Sequence, residues 1–364
     1  MLAAGGARAE EAPSEPPPPT DAHVELGPTK GLVFRSGAGR LDLHVFTWQR
    51  AETDTRISGE TDVAASIPLA RLVLQGHFFD DRLLFFFQPE VAGSRPDELL
   101  DLFAEWKVDE RLRVRIGQFR TPFSRAYITP LSNIELTGRG LVSDQFRLGR
   151  DTGAMFSGAF ADGLFHYDLG IFNGAGINDL SGNRDAPLLV ARTELRFGDV
   201  IPYDQAPSLV LDDPHGVTLA FGGAFSRPGI VQGAGAAQTT TSEQLGHATA
   251  EIAWMHGPLS VHAEGFWRSA QGSPRPPNAF GSFVQAGVFV VPRRVEIGGR
   301  AGWLSNGHDV ESYEGFLASY WKFGDTWLGH HFKTVLEYRY DSGDPSGVDL
   351  RDRHRVTLQN QIFF

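Results

Sequence analysis

From residue 40 to the last residue, apolar and polar side chains alternate with a period of two, and this pattern restricts the fold more than any other property of the chain. Successive side chains of an extended strand point to opposite faces, so the pattern builds sheets with one apolar and one polar face. Leu41, Leu43 and Val45 alternate with Asp42 and His44. Leu112, Val114 and Ile116 alternate with Arg113 and Arg115, and Ala191, Thr193, Leu195 and Phe197 with Arg192, Glu194 and Arg196. Helical spacing does not compete over most of this length. A soluble sandwich would alternate as well, so the breaks between strands must decide.

Sixteen candidate strands run from 41–50 to 353–364, with boundaries good to about 2–4 residues. Their connections mostly alternate in length. The short ones carry Asp80-Asp81, Asp109-Glu110-Arg111, Asp162-Gly163, Gly257, Pro292-Arg293 and Asp325-Thr326. The longer ones fall at 51–66, 92–98, 120–148, 174–186, 227–244, 270–278, 306–311 and 342–352. Residues 198–215 break the rule, being long and carrying three prolines where a short turn is expected. Sorting by parity is the mark of an outer-membrane barrel, with short periplasmic turns, longer outer loops, an even strand count and both termini on the periplasmic side. The expected fold is therefore all-β: a transmembrane, antiparallel, up-and-down barrel of about sixteen strands in the bacterial outer membrane. A barrel of that size leaves room for an aqueous lumen, so charged residues on the polar faces would meet water.

Composition agrees. No stretch offers the roughly 20 apolar residues of a membrane helix. The chain has no cysteine, which removes disulfides and thiolate metal sites. A formal net charge of −11 argues against nucleic acid as a partner. Trp106, Trp267, Trp303 and Trp321 fall at or near strand ends, where interfacial aromatic girdles form. Residues 1–30 read as separate from the barrel domain at 31–364. Ala7-Arg8-Ala9 looks like the end of a secretory signal, and Pro16 to Pro19 sit in a disordered, non-packing linker.

The C-terminal strand places Val356, Leu358, Ile362 and Phe364 on one face, with Arg355, Thr357, Gln359 and Gln361 on the other. Asn360 interrupts the apolar face. A last strand ending at Phe364 is similar to the signal read by the outer-membrane assembly machinery, which is expected as a partner together with the lipid itself.

Five stretches, taken in order, resemble the phosphate-selective porins of the O/P type: Leu112 to Ser124, Gly149 to Gly158, Tyr167 to Gly174, Val284 to Arg294, and the terminal His354 to Phe364. The run Gly117-Gln118-Phe119-Arg120-Thr121-Pro122-Phe123 is the most specific, and the resemblance covers residues 31 to 364. It implies a sixteen-stranded barrel, commonly trimeric, that passes small anions or other small solutes, with a long third loop folded into the lumen. Fold alone does not choose the solute.

Between residues 111 and 150 stand eight arginines against Glu135 and Asp144. Guanidinium groups around a narrow passage favour anions, because each offers a fork of donors suited to phosphate or carboxylate. The expected constriction residues are Arg113, Arg115, Arg120, Arg125, Arg147 and Arg150. The competing reading is that such arginines only pair with nearby carboxylates or face anionic lipid. No long basic ladder follows one strand, so strict phosphate selectivity is not indicated. There is no HExxH pair and no GxSxG elbow, so no enzyme is expected. The loop Asp341 to Asp349 lacks the ligand order of a calcium loop, so no metal or cofactor is expected either. Passive diffusion of small, preferably anionic solutes is thus the leading expectation, and a non-conducting structural or surface-binding barrel is the alternative.

Overall fold

The computed structural model describes residues 22–56, 58–93, 98–179, 186–227, 229–232, 239–272, 278–323, 326–343 and 353–364. The Ala7-Arg8-Ala9 and Pro16–Pro19 readings, and most of the Asp341–Asp349 loop, lie outside these residues. Sixteen strands make the barrel wall: β1 Gly39–Thr55, β2 Thr61–Phe78, β3 Leu83–Gly93, β4 Glu98–Lys107, β5 Arg113–Arg120, β6 Arg150–Phe160, β7 Phe165–Phe172 and β8 Ala186–Gly198. The second half comprises β9 His215–Arg227, β10 Gln244–His256, β11 Leu259–Gln271, β12 Asn278–Val291, β13 Val295–Ser305, β14 Asp309–Tyr320, β15 Phe332–Gly343 and β16 Arg353–Phe363. Each strand pairs antiparallel with the next, and β16 returns to pair with β1 from His354↔Thr55 to Phe363↔Phe46. Beyond that register Val45 and Phe364 exchange backbone hydrogen bonds of 2.7 and 2.9 Å. The sheet is therefore a closed antiparallel barrel, and in hydrocarbon only such closure leaves no row of unpaired N–H and C=O groups.

The alternation decides which side chain goes where. Outward positions carry exposed Phe156, Leu169, Leu195, Phe221, Ile252, Trp254, Val284, Ile297 and Leu317. Inward positions carry buried charges such as Arg192, Glu194, Glu251, Glu264, Glu314 and Glu337. Trp106, Trp267, Trp303 and Trp321 all face outward and are 39–47% exposed. The Asp162 turn shows how sequence sets the tight ends: Ala161, Asp162 and Gly163 all have positive φ, of 52, 55 and 88°, which Asp and Gly tolerate best.

Three sequence expectations are corrected. Residues 51–66 are mostly strand, because β1 and β2 continue to Thr55 and from Thr61 as a ladder extended well past the β3 edge. The expected short turn at Asp325-Thr326 is longer, since β14 ends at Tyr320 and β15 starts at Phe332. The third concerns residues 1–30. His23–Gly27 already forms a strand, paired with Gly31–Ser36, which in turn pairs with β1 from Leu32↔Leu43 to Ser36↔Gly39. This N-terminal hairpin takes over the edge of β1 where β16 stops, covering donors and acceptors that would otherwise be open.

Closure makes a prediction. Leu358 is paired on both sides, with Leu336 and with Ala51, so Leu358→Pro removes a ladder donor from the strand that closes the barrel. The expected outcome is loss of the fast-migrating folded band of the unboiled protein on SDS gels, whereas Leu358→Val retains it.

Candidate functional site: an arginine-rich chamber beside a packed loop

The connection between β5 and β6, residues 121–149, contains two short helical turns, α1 Arg125–Ile128 and α2 Leu141–Phe146. Its polar contacts run to inward-facing residues of distant strands. Ser124 Oγ and the Ala126 N–H donate to Glu264 on β11 at 2.6 and 2.5 Å. The Arg125 N–H donates to Glu251 on β10, and the Thr137 N–H to Glu337 on β15 at 2.7 Å. Glu135 accepts from Ser260 and Gln285, both at 2.6 Å. Lys333 donates to the Ile134 carbonyl, and Gln361 donates to that of Ser132 at 2.8 Å. Buried backbone groups of an irregular segment must find partners, and here the inner wall supplies them.

The wall is shaped for the loop. A Cβ on Gly281 would lie 2.5 Å from the Phe146 ring, one on Gly302 3.0 Å from Val142, and one on Gly222 2.6 Å from the Phe123 carbonyl oxygen. Phe146 stacks on Phe266 at 5.4 Å, inside a buried cluster that also holds Phe123, Phe119, Phe172 and Phe283.

The anomalous connection 199–214 has the matching task from the opposite end. Its Gln205 accepts from the Glu135 N–H at 3.0 Å and donates its own N–H to the Asn133 carbonyl, also at 3.0 Å. Asp204 is 2.8 Å from His330 Nε2, and Arg125 donates to the Ile201 and Pro202 carbonyls. Tyr203 donates to Glu194 at 2.8 Å, and burial pushes its phenol above the usual range. The two segments meet against β8 to β15 and fill that side of the barrel.

Space remains along β1 to β5. An upper cavity of about 610 Å³ is lined by Arg50, Arg71, Arg150, Arg300, Arg339 and Arg355 from the wall and by Arg139 and Arg147 from the loop. Five carboxylates share it: Glu52, Glu90, Asp144, Glu314 and Glu337. Arg71 donates twice to one Glu90 oxygen at 2.7 and 2.9 Å, and Arg150 is held bidentately by Asp101 at 2.9–3.0 Å. Arg50 donates to Gln359 and to the Thr137 carbonyl, both at 2.7 Å. Arg139 differs from these. It donates to the carbonyls of Ala126, Tyr127 and Thr129 at 2.9, 3.2 and 2.5 Å, and among the described residues no carboxylate lies within ion-pair distance. Burial lowers its guanidinium to about 10, so it keeps its charge at neutral pH. A second cavity of about 1050 Å³ lies toward the periplasmic turns, with Arg35, Arg40, Arg82, Lys107 and Arg113 among its lining. Between the two, the inward rows turn apolar at Phe46, Trp48, Phe86 and Phe103.

The arginines singled out from sequence are thus spread over different environments. Arg147 and Arg150 line the upper cavity, and Arg113 lines the lower one. Arg115 pairs with Glu105 at 2.7 Å and lies 4.4 Å over the Phe103 ring. Arg120 donates to the Ile128 carbonyl at 2.8 Å. Arg125 is buried against the far wall, and Phe364 pairs with Val45 at the seam. Arg50, Arg71, Arg139, Arg300, Arg339 and Arg355 were not singled out. The inward parity of the five wall arginines was readable, but their common height depends on register across strands, and Arg139 reaches it from the loop.

Residues 46–314 match the family described as phosphate-selective porin O and P. The chain belongs to that family. The porin's fold is similar to those of solved outer-membrane channels. OmpF of Salmonella typhi, in complex with daunomycin, aligns with a TM-score of 0.61 at 11% identity over 90% of this chain and 98% of that one. DcaP of Acinetobacter baumannii gives 0.59 at 11% identity over 89% and 97%, and in-vitro folded OmpT of Vibrio cholerae gives 0.58 at 12% over 91% and 99%. A search of curated proteins returned no match. Family and fold together make this chain an outer-membrane porin.

The docking contacts are testable. Glu264→Ala leaves the Ala126 N–H and Ser124 hydroxyl without their acceptor, a loss of about 1–3 kcal/mol per buried group. The expected result is faster proteolytic cleavage between residues 121 and 149, with Glu264→Gln nearer the parent because it keeps an acceptor oxygen.

Proposed function

We propose that the porin is a passive, non-enzymatic conduit for small anions, and that solutes cross along the β1–β5 side through the upper arginine chamber. The observation that carries this reading is the guanidinium lining of that chamber. Eight arginines and five carboxylates line it, and Asp101, Asp341 and Asp54 pair with Arg150, Arg339 and Arg355 from just behind the lining, which leaves Arg139 as the lining arginine held by carbonyls alone among the described residues. The paired guanidiniums are held rigid by their carboxylates, which leaves outward donors in fixed positions at little entropic cost. Arg139, with no carboxylate within ion-pair distance among the described residues, supplies a positive charge in a confined, low-dielectric space, where its attraction for an anion is stronger than in bulk water. Arg147 and Tyr127 flank it, with the Arg139 guanidinium 5.1 Å from the Tyr127 ring. The mixed charges of the chamber favour small anions as a class, with phosphate among them, over strict selection of one. Three copies of the chain are the proposed assembly, as in the trimer form recorded for OmpT of Vibrio cholerae.

Planar-bilayer recordings test the reading. Stepwise conductance with a reversal potential on the anion side of a salt gradient is expected, and phosphate should reduce the chloride current. Arg139→Gln removes a charged hydrogen-bond donor, a difference of about 1.5–3 kcal/mol, and should weaken phosphate block roughly tenfold or more. Cation preference in the parent protein would overturn the anion claim. A folded barrel with no conductance would favour a structural or surface-binding role.

A further inference from the structure

The chain holds twelve histidines, and two of them meet on the outside of the barrel, away from the lumen. His215 is the first residue of β9 and His256 the last of β10, and the register sets them opposite each other. The Gly257 N–H donates to the Pro214 carbonyl at 2.9 Å. That bond makes 215 and 256 a non-hydrogen-bonded pair of the ladder, the position at which facing side chains come closest. Steps of two lead from them to Phe221 on β9 and to Trp254 and Ile252 on β10, all exposed on the outward face. The two histidines stand at the periplasmic end of that face, where Gly257 turns the chain into β11, and both are exposed.

Their rings meet nitrogen to nitrogen. The Nδ1 atoms are 2.9 Å apart, with the ring planes inclined at 63°. The Nε2 of His215 lies 3.2 Å from one Asp213 carboxylate oxygen. An ionised carboxylate only accepts, so this Nε2 carries the ring hydrogen and the His215 Nδ1 keeps a lone pair aimed at His256. His256 answers with its own Nδ1–H. Moving that hydrogen to the His256 Nε2 leaves the ring uncharged and sets two lone pairs converging on one point. The surrounding turn holds this arrangement. Asp213 and Gly257 have φ of 47 and 55°, and a Cβ on Gly257 would lie 3.1 Å from the other Asp213 oxygen. Asp199 accepts the His215 backbone N–H at 2.8 Å. Trp254 stacks on the His256 ring with centroids 6.2 Å apart.

We propose that His215 and His256 bind a divalent transition cation of the zinc, nickel or copper type at the periplasmic rim, with Asp213 orienting the first imidazole. Neutral imidazole nitrogens suit these ions. A carboxylate on the far nitrogen of a ligating histidine fixes its tautomer and raises its basicity, which is the place Asp213 occupies. Tetrahedral bonds of about 2.0–2.1 Å put two ligand nitrogens about 3.3 Å apart, so the rings need part by only a few tenths of an ångström. Water completes the coordination at an exposed rim. Bound there, the ion ties the foot of the 199–214 segment to β10, on the side of the wall opposite to the contacts that Asp204 and Gln205 make within the lumen.

The test uses protein without a histidine tag, stripped with a chelator, kept in detergent and titrated with zinc chloride by calorimetry. One site per chain with a micromolar dissociation constant is expected. His215→Gln and His256→Gln should each abolish it, and Asp213→Asn should weaken it about tenfold. His354→Ala, which removes an exposed imidazole bonded to Tyr338 at 2.7 Å, should bind as the parent does. Copper(II) on the stripped protein should give a paramagnetic resonance spectrum split by two nitrogens, and by one in either glutamine variant. The unboiled band on gels checks that every variant remains a folded barrel. No zinc binding up to millimolar concentration, or binding of equal strength in both glutamine variants, would overturn the site. Neither result touches the conduction reading, which the reversal potential decides separately.

Discussion

Every part of this molecule depends on one requirement: in a hydrocarbon layer each backbone N–H and C=O has to find its partner within the sheet. The register from Phe363↔Phe46 to His354↔Thr55 meets it by joining the ends of the chain's wall. Closure then creates the inside. Charges such as Arg192, Glu194, Glu251 and Glu264 would be ruinous on a lipid-facing surface, yet they become the natural lining of a polar interior. The same closure leaves a wide space, and two irregular segments occupy its β8–β15 side with their own hydrogen bonds supplied by that lining.

The wall was largely legible in the sequence because its two controlling signals are local. Alternation at Leu41–Val45 or Ala191–Phe197 marks strand and face together, and turn residues such as Asp162-Gly163 mark the ends. What was missed has a physical cause in each case. The hairpin at His23–Gly27 and Gly31–Ser36 is short, follows a proline-rich stretch and gains its stability from the free edge of β1, a non-local partner. The polar upper ends of β1 and β2 read as loop because Glu52, Asp54, Asp62 and Ser66 interrupt the apolar rhythm. Residues 198–215 stood out as the wrong length, but only the contacts of Asp204 and Gln205 with His330 and Glu135 explain why.

The site was legible in kind and not in detail. Of the arginines singled out between 111 and 150, Arg147 and Arg150 line the upper chamber. Arg125 could not be distinguished from them, because burial against Ile201, Pro202 and Glu251 is a property of the folded loop. Arg50, Arg71, Arg339 and Arg355 come from strands far apart in sequence. They reach one level only through the stagger of the sheet, which no single strand reveals.

The bare positions at Gly222, Gly281, Gly287 and Gly302 make the inner wall a cast of the segment resting on it. That segment is consequently no interchangeable cartridge. A graft from another channel would bring its own bulk to hollows cut for Phe123, Phe146, Val142 and Glu135, and would leave some empty while colliding with others. The opposite side leaves more freedom for redesign, because its guanidiniums border open volume instead of a packed segment.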